Sequence, residues 1–121
     1  MDMLYQAGLR YFDHGFLKEA QAVFWMLVSL SPLRHTLWLA LGLIEKQSGH
    51  AKEALDYFAN AVLLAPDDLA SYIQVAECHL ALNEKVLAEH TLKGALEIIP
   101  TESQRDLQQE VRNWLASPTF T

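Results

Sequence analysis

The sequence predicts an all-α fold, built from three consecutive helix–turn–helix repeats and closed by one C-terminal helix. Three observations predict it. First, Gly8, Gly15, Ala20, Phe24 and Pro32 recur thirty-four residues later as Gly42, Gly49, Ala54, Phe58 and Pro66, and again as Ala76, Asn83, Ala88, Leu92 and Pro100, with no gap inserted. A fixed period of this length marks a stacked repeat array. Second, apolar residues follow each other at intervals of three and four, the spacing of one helix face. Third, glycine or asparagine and then proline punctuate every window at the same two places. One domain is expected over residues 1–116, with repeats at 1–34, 35–68 and 69–102, a capping helix at about 103–116 and a flexible tail at 117–121.

In the first repeat, Leu4, Ala7, Gly8 and Tyr11 define one helix. His14-Gly15 breaks it, because the residue just past a helix end adopts a left-handed conformation that costs any Cβ-bearing residue about 1–2 kcal/mol. Leu17, Ala20, Phe24, Leu27 and Val28 define the second helix, which must end before Ser31-Pro32, since a residue preceding proline is pushed out of the α region. The second repeat follows the same plan. Leu37, Trp38, Leu41, Gly42, Ile44 and Glu45 lie on its first helix, Ser48-Gly49-His50 forms the turn, and Ala51 to Leu64 forms the second helix. Asp67 and Asp68 are placed to cap the next helix near the positive end of its dipole. In the third repeat, Tyr72, Val75, Ala76 and His79 are followed by Asn83, the next-best residue for a left-handed cap, and then by Leu87, Ala88, Leu92, Ala95 and Leu96.

After Pro100 the period stops. Thr101 to Gln104 has the form of a capping box. Leu107, Val111, Trp114 and Leu115 then make an apolar stripe, with Arg105, Gln108, Gln109 and Arg112 expected on the polar side. Such a helix would cover the open face of the last repeat, as repeat arrays require. Small residues at Gly8, Gly42 and Ala76 mark where the two helices of each hairpin cross. Ala20, Ala54 and Ala88 are expected to face them, with Phe24, Phe58 and Leu92 filling the space one turn on.

Composition excludes several functions. The chain has 121 residues and a net charge of −6, concentrated in repeats two and three, each with five acids against two lysines. With no lysine/arginine stripe, neither nucleic acid nor an anionic membrane surface is an expected partner. No apolar run approaches a membrane span, and Met1-Asp2-Met3-Leu4 lacks the basic start and apolar core of a signal segment. Cys78 is the single cysteine, so no internal disulfide can form. That is compatible with a reducing compartment.

The residues Trp38-x2-Leu41-Gly42, Ala54-x3-Phe58 and Pro66, with their counterparts over 1–102, resemble the tetratricopeptide repeat. Leu4 and Tyr72 stand where that pattern has tryptophan. Glu45 and His79 stand where it has a tyrosine, which Tyr11 keeps. A narrower resemblance runs from Tyr11-x3-Gly15-Phe16-x2-Glu19-Ala20-x3-Phe24, through Leu30-Ser31-Pro32 and Leu39-Ala40-Leu41-Gly42, to Ala76-Glu77-Cys78-His79-Leu80-Ala81-Leu82-Asn83-Glu84. This succession is similar to the class II chaperones of bacterial type III secretion, which hold translocator proteins before export. The resemblance implies a bacterial, cytoplasmic, non-enzymatic protein that binds a secreted client, without cofactor, as a homodimer or in a hetero-oligomer with another chaperone. A needle-subunit chaperone of the same apparatus and a general repeat scaffold are the alternatives.

The tetratricopeptide resemblance further implies a concave groove lined by the first helix of each repeat. Its positions are Tyr5, Leu9 and Phe12; Leu39, Leu43 and Lys46; and Ile73, Glu77 and Leu80. Seven of these nine are apolar or aromatic, and Lys46 is the only cation, so an extended apolar peptide suits the groove better than an acidic tail. The alternative is that some of these side chains, Leu9 and Leu43 above all, pack against neighbouring helices. Trp25 and Met26 fall off the core stripe of the second helix and are expected on an outer face, as a self-association contact or as ordinary exposed residues.

Catalytic and metal chemistry find no constellation. His14, His35, His50, His79 and His90 contain no pair at metal-binding spacing, and there is no paired-cysteine motif. Cys78 and His79 are adjacent on a helix and point about 100° apart, so they cannot act together as nucleophile and base.

Overall fold

The computed structural model describes residues 2–121. Met1, counted in the first unit from sequence, lies outside the described residues. Among the described residues seven α-helices follow in order: α1 (Asp2–Asp13), α2 (Leu17–Leu30), α3 (His35–Gln47), α4 (Ala51–Leu64), α5 (Leu69–Ala81), α6 (Lys85–Ile98) and α7 (Arg105–Leu115). No strand occurs among the described residues. α1 pairs with α2, α3 with α4 and α5 with α6; the hairpins stack through α2 on α3 and α4 on α5, and α7 lies against α5 and α6. The result is the all-α superhelix of three helix pairs and a closing helix that the period predicts.

The turns confirm the punctuation. Gly15, Gly49 and Asn83 adopt φ of +80°, +84° and 62°. After each, a backbone N–H reaches back five residues: Phe16 to Tyr11 (2.8 Å), His50 to Glu45 (2.9 Å) and Glu84 to His79 (2.7 Å). The side chains at these two columns also meet. Tyr11 and Phe16 pack edge to face at 6.4 Å, Glu45 bonds His50 Nδ1 at 2.9 Å, and His79 Nδ1 bonds Glu84 at 3.0 Å. Departures from the tyrosine pattern at 45 and 79 are therefore compensated across the turn, where the partner changes with the residue.

The crossing glycines are explained by contact. A Cβ built on Gly42 would lie 2.4 Å from the Phe58 ring, and one on Gly8 2.8 Å from the Phe24 ring. Ala20, Ala54 and Ala88 are fully buried, yet the phenyl ring, not the alanine, lies nearest the glycine. One further column repeats: Trp38 Nε1 donates to the Pro32 carbonyl at 2.8 Å, and the Tyr72 hydroxyl donates to the Pro66 carbonyl at 2.6 Å. Tyrosine thus replaces tryptophan at 72 without losing the bond that closes the inter-repeat loop.

The C-terminal cap differs from expectation in three ways. Thr101 to Gln104 forms no capping box. Gln104 is itself left-handed at φ 52°, and its side chain ties α7 to the start of α5, accepting from the Leu69 N–H (2.9 Å) and donating to the Asp67 carbonyl (2.8 Å). Gln108, expected on the polar side, is buried and donates to the Pro100 and Ser103 carbonyls at 2.9 and 2.6 Å. The irregular loop from 100 to 104 leaves those carbonyls without helical partners, and a buried amide satisfies them. Residues 117–121, expected as a flexible tail, contain a 3-10 turn at Pro118–Phe120 that sets Phe120 on Trp114 at 5.5 Å. Of the two candidate aspartates, Asp68 caps α5, accepting from the Ala70 N–H at 3.2 Å, and also bonds His35 Nε2 at 3.0 Å.

Ser71 occupies the column that Leu37 fills one repeat earlier. It is fully buried and its Oγ has no partner. An unsatisfied buried hydroxyl is destabilising, so Ser71→Ala is expected to raise the unfolding free energy by about 1 kcal/mol. Urea denaturation with an unchanged m-value would read this directly. A lower midpoint would show that the hydroxyl is bonded after all.

Candidate peptide-binding groove

α1, α3 and α5 carry the nine groove residues, and all nine are partly exposed and partly packed. Leu9, Phe12 and Leu43 come together with Phe24, Ala40 and Asp13 around a cavity of about 170 Å³. The first two repeats thus contribute to one apolar recess, although thirty-four residues separate Leu9 from Leu43. Tyr5 lies beside it, its ring edge-on to Phe24 at 5.7 Å and 5.6 Å from the Arg34 guanidinium. Leu39 and Leu43 pack on the central cluster of Ala54, Phe58 and Cys78. Ile73 and Leu80 pack on the third-repeat cluster. The apolar members of the set therefore pack on the core with one side, as the second sequence-based alternative expects, and keep another side exposed.

The two polar positions are paired with each other. Lys46 Nζ forms an ion pair with Glu77 and donates to Gln74 Oε1 at 2.8 Å. About a third of each charged side chain stays accessible, so the attraction is screened and worth about 0–1 kcal/mol. Its larger effect is on character. Among the nine positions the one cation is matched by the one anion, so an incoming acidic side chain finds no free positive charge there, and Asp13 at the recess would repel it. Gln74, which the sequence reading did not single out, completes this network. Its signal was the spacing of three from Glu77 on one helix.

Trp25 is not isolated on an outer face. Its ring packs against Trp38 at 6.3 Å and Tyr57 at 5.8 Å, and Trp38 and Tyr57 stack at 6.2 Å. A residue off the core stripe of α2 thus reaches one aromatic ring on α3 and one on α4. A contact at Trp25 and Met26 would have only the exposed edge of this indole and Met26 to work with.

Cys78 and His79, adjacent in sequence, do not act on each other. Cys78 is fully buried, and burial pushes its thiol pKa up, away from the reactive thiolate. His79 bonds Glu84, not Cys78. No group of three metal-ligating side chains occurs among the described residues. No helix among them is long and apolar enough to cross a membrane.

The family model described as tetratricopeptide repeat matches residues 46–111. No curated protein matches the sequence. Among solved structures, the chain is similar to the Yersinia enterocolitica type III secretion chaperone SycD in complex with a peptide of the translocator YopD. That match has a TM-score of 0.85 and 23% identity, and covers 95% of this chain and 88% of the other. It is similar also to PcrH in complex with the chaperone-binding region of PopD, with a TM-score of 0.85, 23% identity, and 95% and 87% covered; PcrH comes from Pseudomonas aeruginosa. A third match, at TM-score 0.74 and 20% identity, covers 95% of this chain and 92% of the first tetratricopeptide domain of Spaghetti (RPAP3), bound to an HSP90 peptide. At these identities the likeness is one of fold.

Proposed function

The chain belongs to the tetratricopeptide repeat family, and from that premise we propose that it is a peptide-holding chaperone of bacterial type III secretion. Its client is a secreted translocator or needle subunit, held in the cytoplasm through an extended apolar segment. One observation carries the choice among peptides: seven of the nine groove positions are apolar or aromatic, the other two, Lys46 and Glu77, pair with each other, and Asp13 adds an anion at the recess. A solved neighbour in this fold holds an acidic HSP90 peptide, but here the single groove cation is already engaged. Two other neighbours were solved with translocator segments bound, which supports the secretion reading.

The mechanism is thermodynamic. Covering an apolar client segment removes about 1.5–3 kcal/mol of exposed surface per large aliphatic side chain, offset by ordering the peptide. The client is thereby kept unassembled until export withdraws it by mass action. Neither catalysis nor a cofactor enters this role.

Purification of the tagged chain from its native host, with mass-spectrometric identification of the bound protein, tests the proposal. A translocator or needle subunit encoded with the secretion apparatus is the expected companion. A reproducible partner outside that apparatus, at equal stoichiometry, would replace this reading with a general scaffold.

A further inference from the structure

The chain contains the same convex cleft twice, once filled and once open. Between α2 and α4 the cleft is closed by Trp25, Trp38 and Tyr57, whose ring centroids lie within 6.3 Å of one another. Thirty-four residues on, the corresponding positions are Ala59, Tyr72 and Thr91, and these line an open cleft of about 470 Å³ between α4 and α6. Gly94 in the lining stands at the repeat position of Asn60. Trp25, Trp38 and Tyr57 are each replaced by a smaller residue, so the three-ring filling of the first cleft is missing from the second.

Gly94 strengthens the case independently. It sits inside α6, where glycine weakens a helix relative to alanine. It has neither the positive φ of a turn glycine nor a crossing partner like Gly8 or Gly42, because a Cβ built on it would meet nothing within 4 Å. It leaves that part of the cleft wall without a side chain.

We propose that the α4–α6 cleft is a docking site for an aromatic side chain, an indole above all, presented by a partner protein. The occupant's chemistry is read from the counterpart cleft, where Trp25 packs edge-on against residues at these same columns. Charge agrees. No lysine, arginine, aspartate or glutamate lines the cleft, and His90 is its one imidazole, although the chain carries a net −6, so an uncharged ring enters without desolvating a carboxylate, ammonium or guanidinium. The rim is apolar, with Leu63 and Ile98 largely exposed, and an aromatic anchor in a pocket with such a rim is the usual energetic centre of a protein contact. The site lies away from the groove, because Tyr72 and Val75 leave α5 on a different side from Ile73, Glu77 and Leu80. It does not rest on the proposed function.

The probe is 5-fluoroindole, followed by fluorine NMR against the full chain. Its resonance should broaden with the wild-type protein. The effect should fall at least tenfold in Ala59→Trp and in Thr91→Tyr, which restore the filling of the first cleft, while Leu43→Glu in the groove leaves it unchanged. Both filled variants should melt no lower than wild type, so loss of binding would not reflect unfolding. No broadening with wild type, or equal broadening with Ala59→Trp, would overturn the proposal. Sedimentation showing a wild-type dimer that Ala59→Trp makes monomeric would assign the cleft to a second copy, and would overturn the partner reading.

Discussion

Phe58→Ala is expected to lower the unfolding free energy by about 3–5 kcal/mol, the largest stability effect of any single truncation considered in this chain. Phe58 is fully buried and fills the space left by Gly42, whose missing Cβ would fall 2.4 Å from the ring. Neighbours fill the resulting void only in part, through the partly buried Leu39, Leu43, Leu55 and Val75 that border the cluster. Gly42 has no side chain to extend, and Ala54 and Cys78, the other buried members of the cluster, are small. That cluster also joins the second repeat to the third, so its loss weakens an interface as well as a hairpin. In a repeat array, stability is the sum of such nearest-neighbour terms. Urea denaturation followed by circular dichroism measures the change. A companion variant, Gly42→Ala, should cost about 1–3 kcal/mol by overpacking. Combined with Phe58→Leu, its cost should shrink, because the side chain it strikes has become smaller. Additive costs, or a Phe58→Ala loss below 1 kcal/mol on the scale of a surface change, would show that the ring does not fill the crossing.

Leu43→Glu is expected to weaken binding of a leucine-anchored apolar peptide by at least about tenfold while leaving helicity intact. Leu43 sits where the recess of Leu9 and Phe12 meets the second repeat. Losing one aliphatic contact accounts for about 1.5–3 kcal/mol, and each 1.4 kcal/mol is tenfold in affinity. The introduced carboxylate adds to this. It would stand in the same recess as Asp13, and Lys46, the one groove cation, is already held by Glu77. Fluorescence anisotropy of a labelled peptide measures the affinity, with Val86→Glu as an exposed control outside the groove. Unchanged affinity in Leu43→Glu would sink the groove reading and leave the fold untouched. A similar loss in the Val86 control would point to a general charge effect instead.

These two expectations concern different sets of side chains. The first concerns residues that hold a hairpin together and would be the same in any tetratricopeptide protein. The second concerns Leu39, Leu43 and their neighbours, interleaved on the same helix α3 and pointing elsewhere. A helix can serve both purposes because side chains three or four apart share a face and adjacent ones do not.

The thirty-four-residue period, the helix pairs, the left-handed turn positions and the crossing glycines were legible in the sequence, because each is set by residues close along the chain. Gly49 must accept a positive φ, Pro66 must end a helix, and Gly42 must leave room, whatever surrounds them. The period also assigns each column a face, which is what put the nine proposed groove positions on the first helices α1, α3 and α5. Pairings across repeats were decided only by the tertiary structure. Lys46 meets Glu77, Gln104 reaches Leu69, and Leu9 joins Leu43 in one recess. The same holds for Trp25, which closes a cleft that Ala59 leaves open. The period says which columns correspond, but the angle at which one hairpin stacks on the next determines which side chains touch.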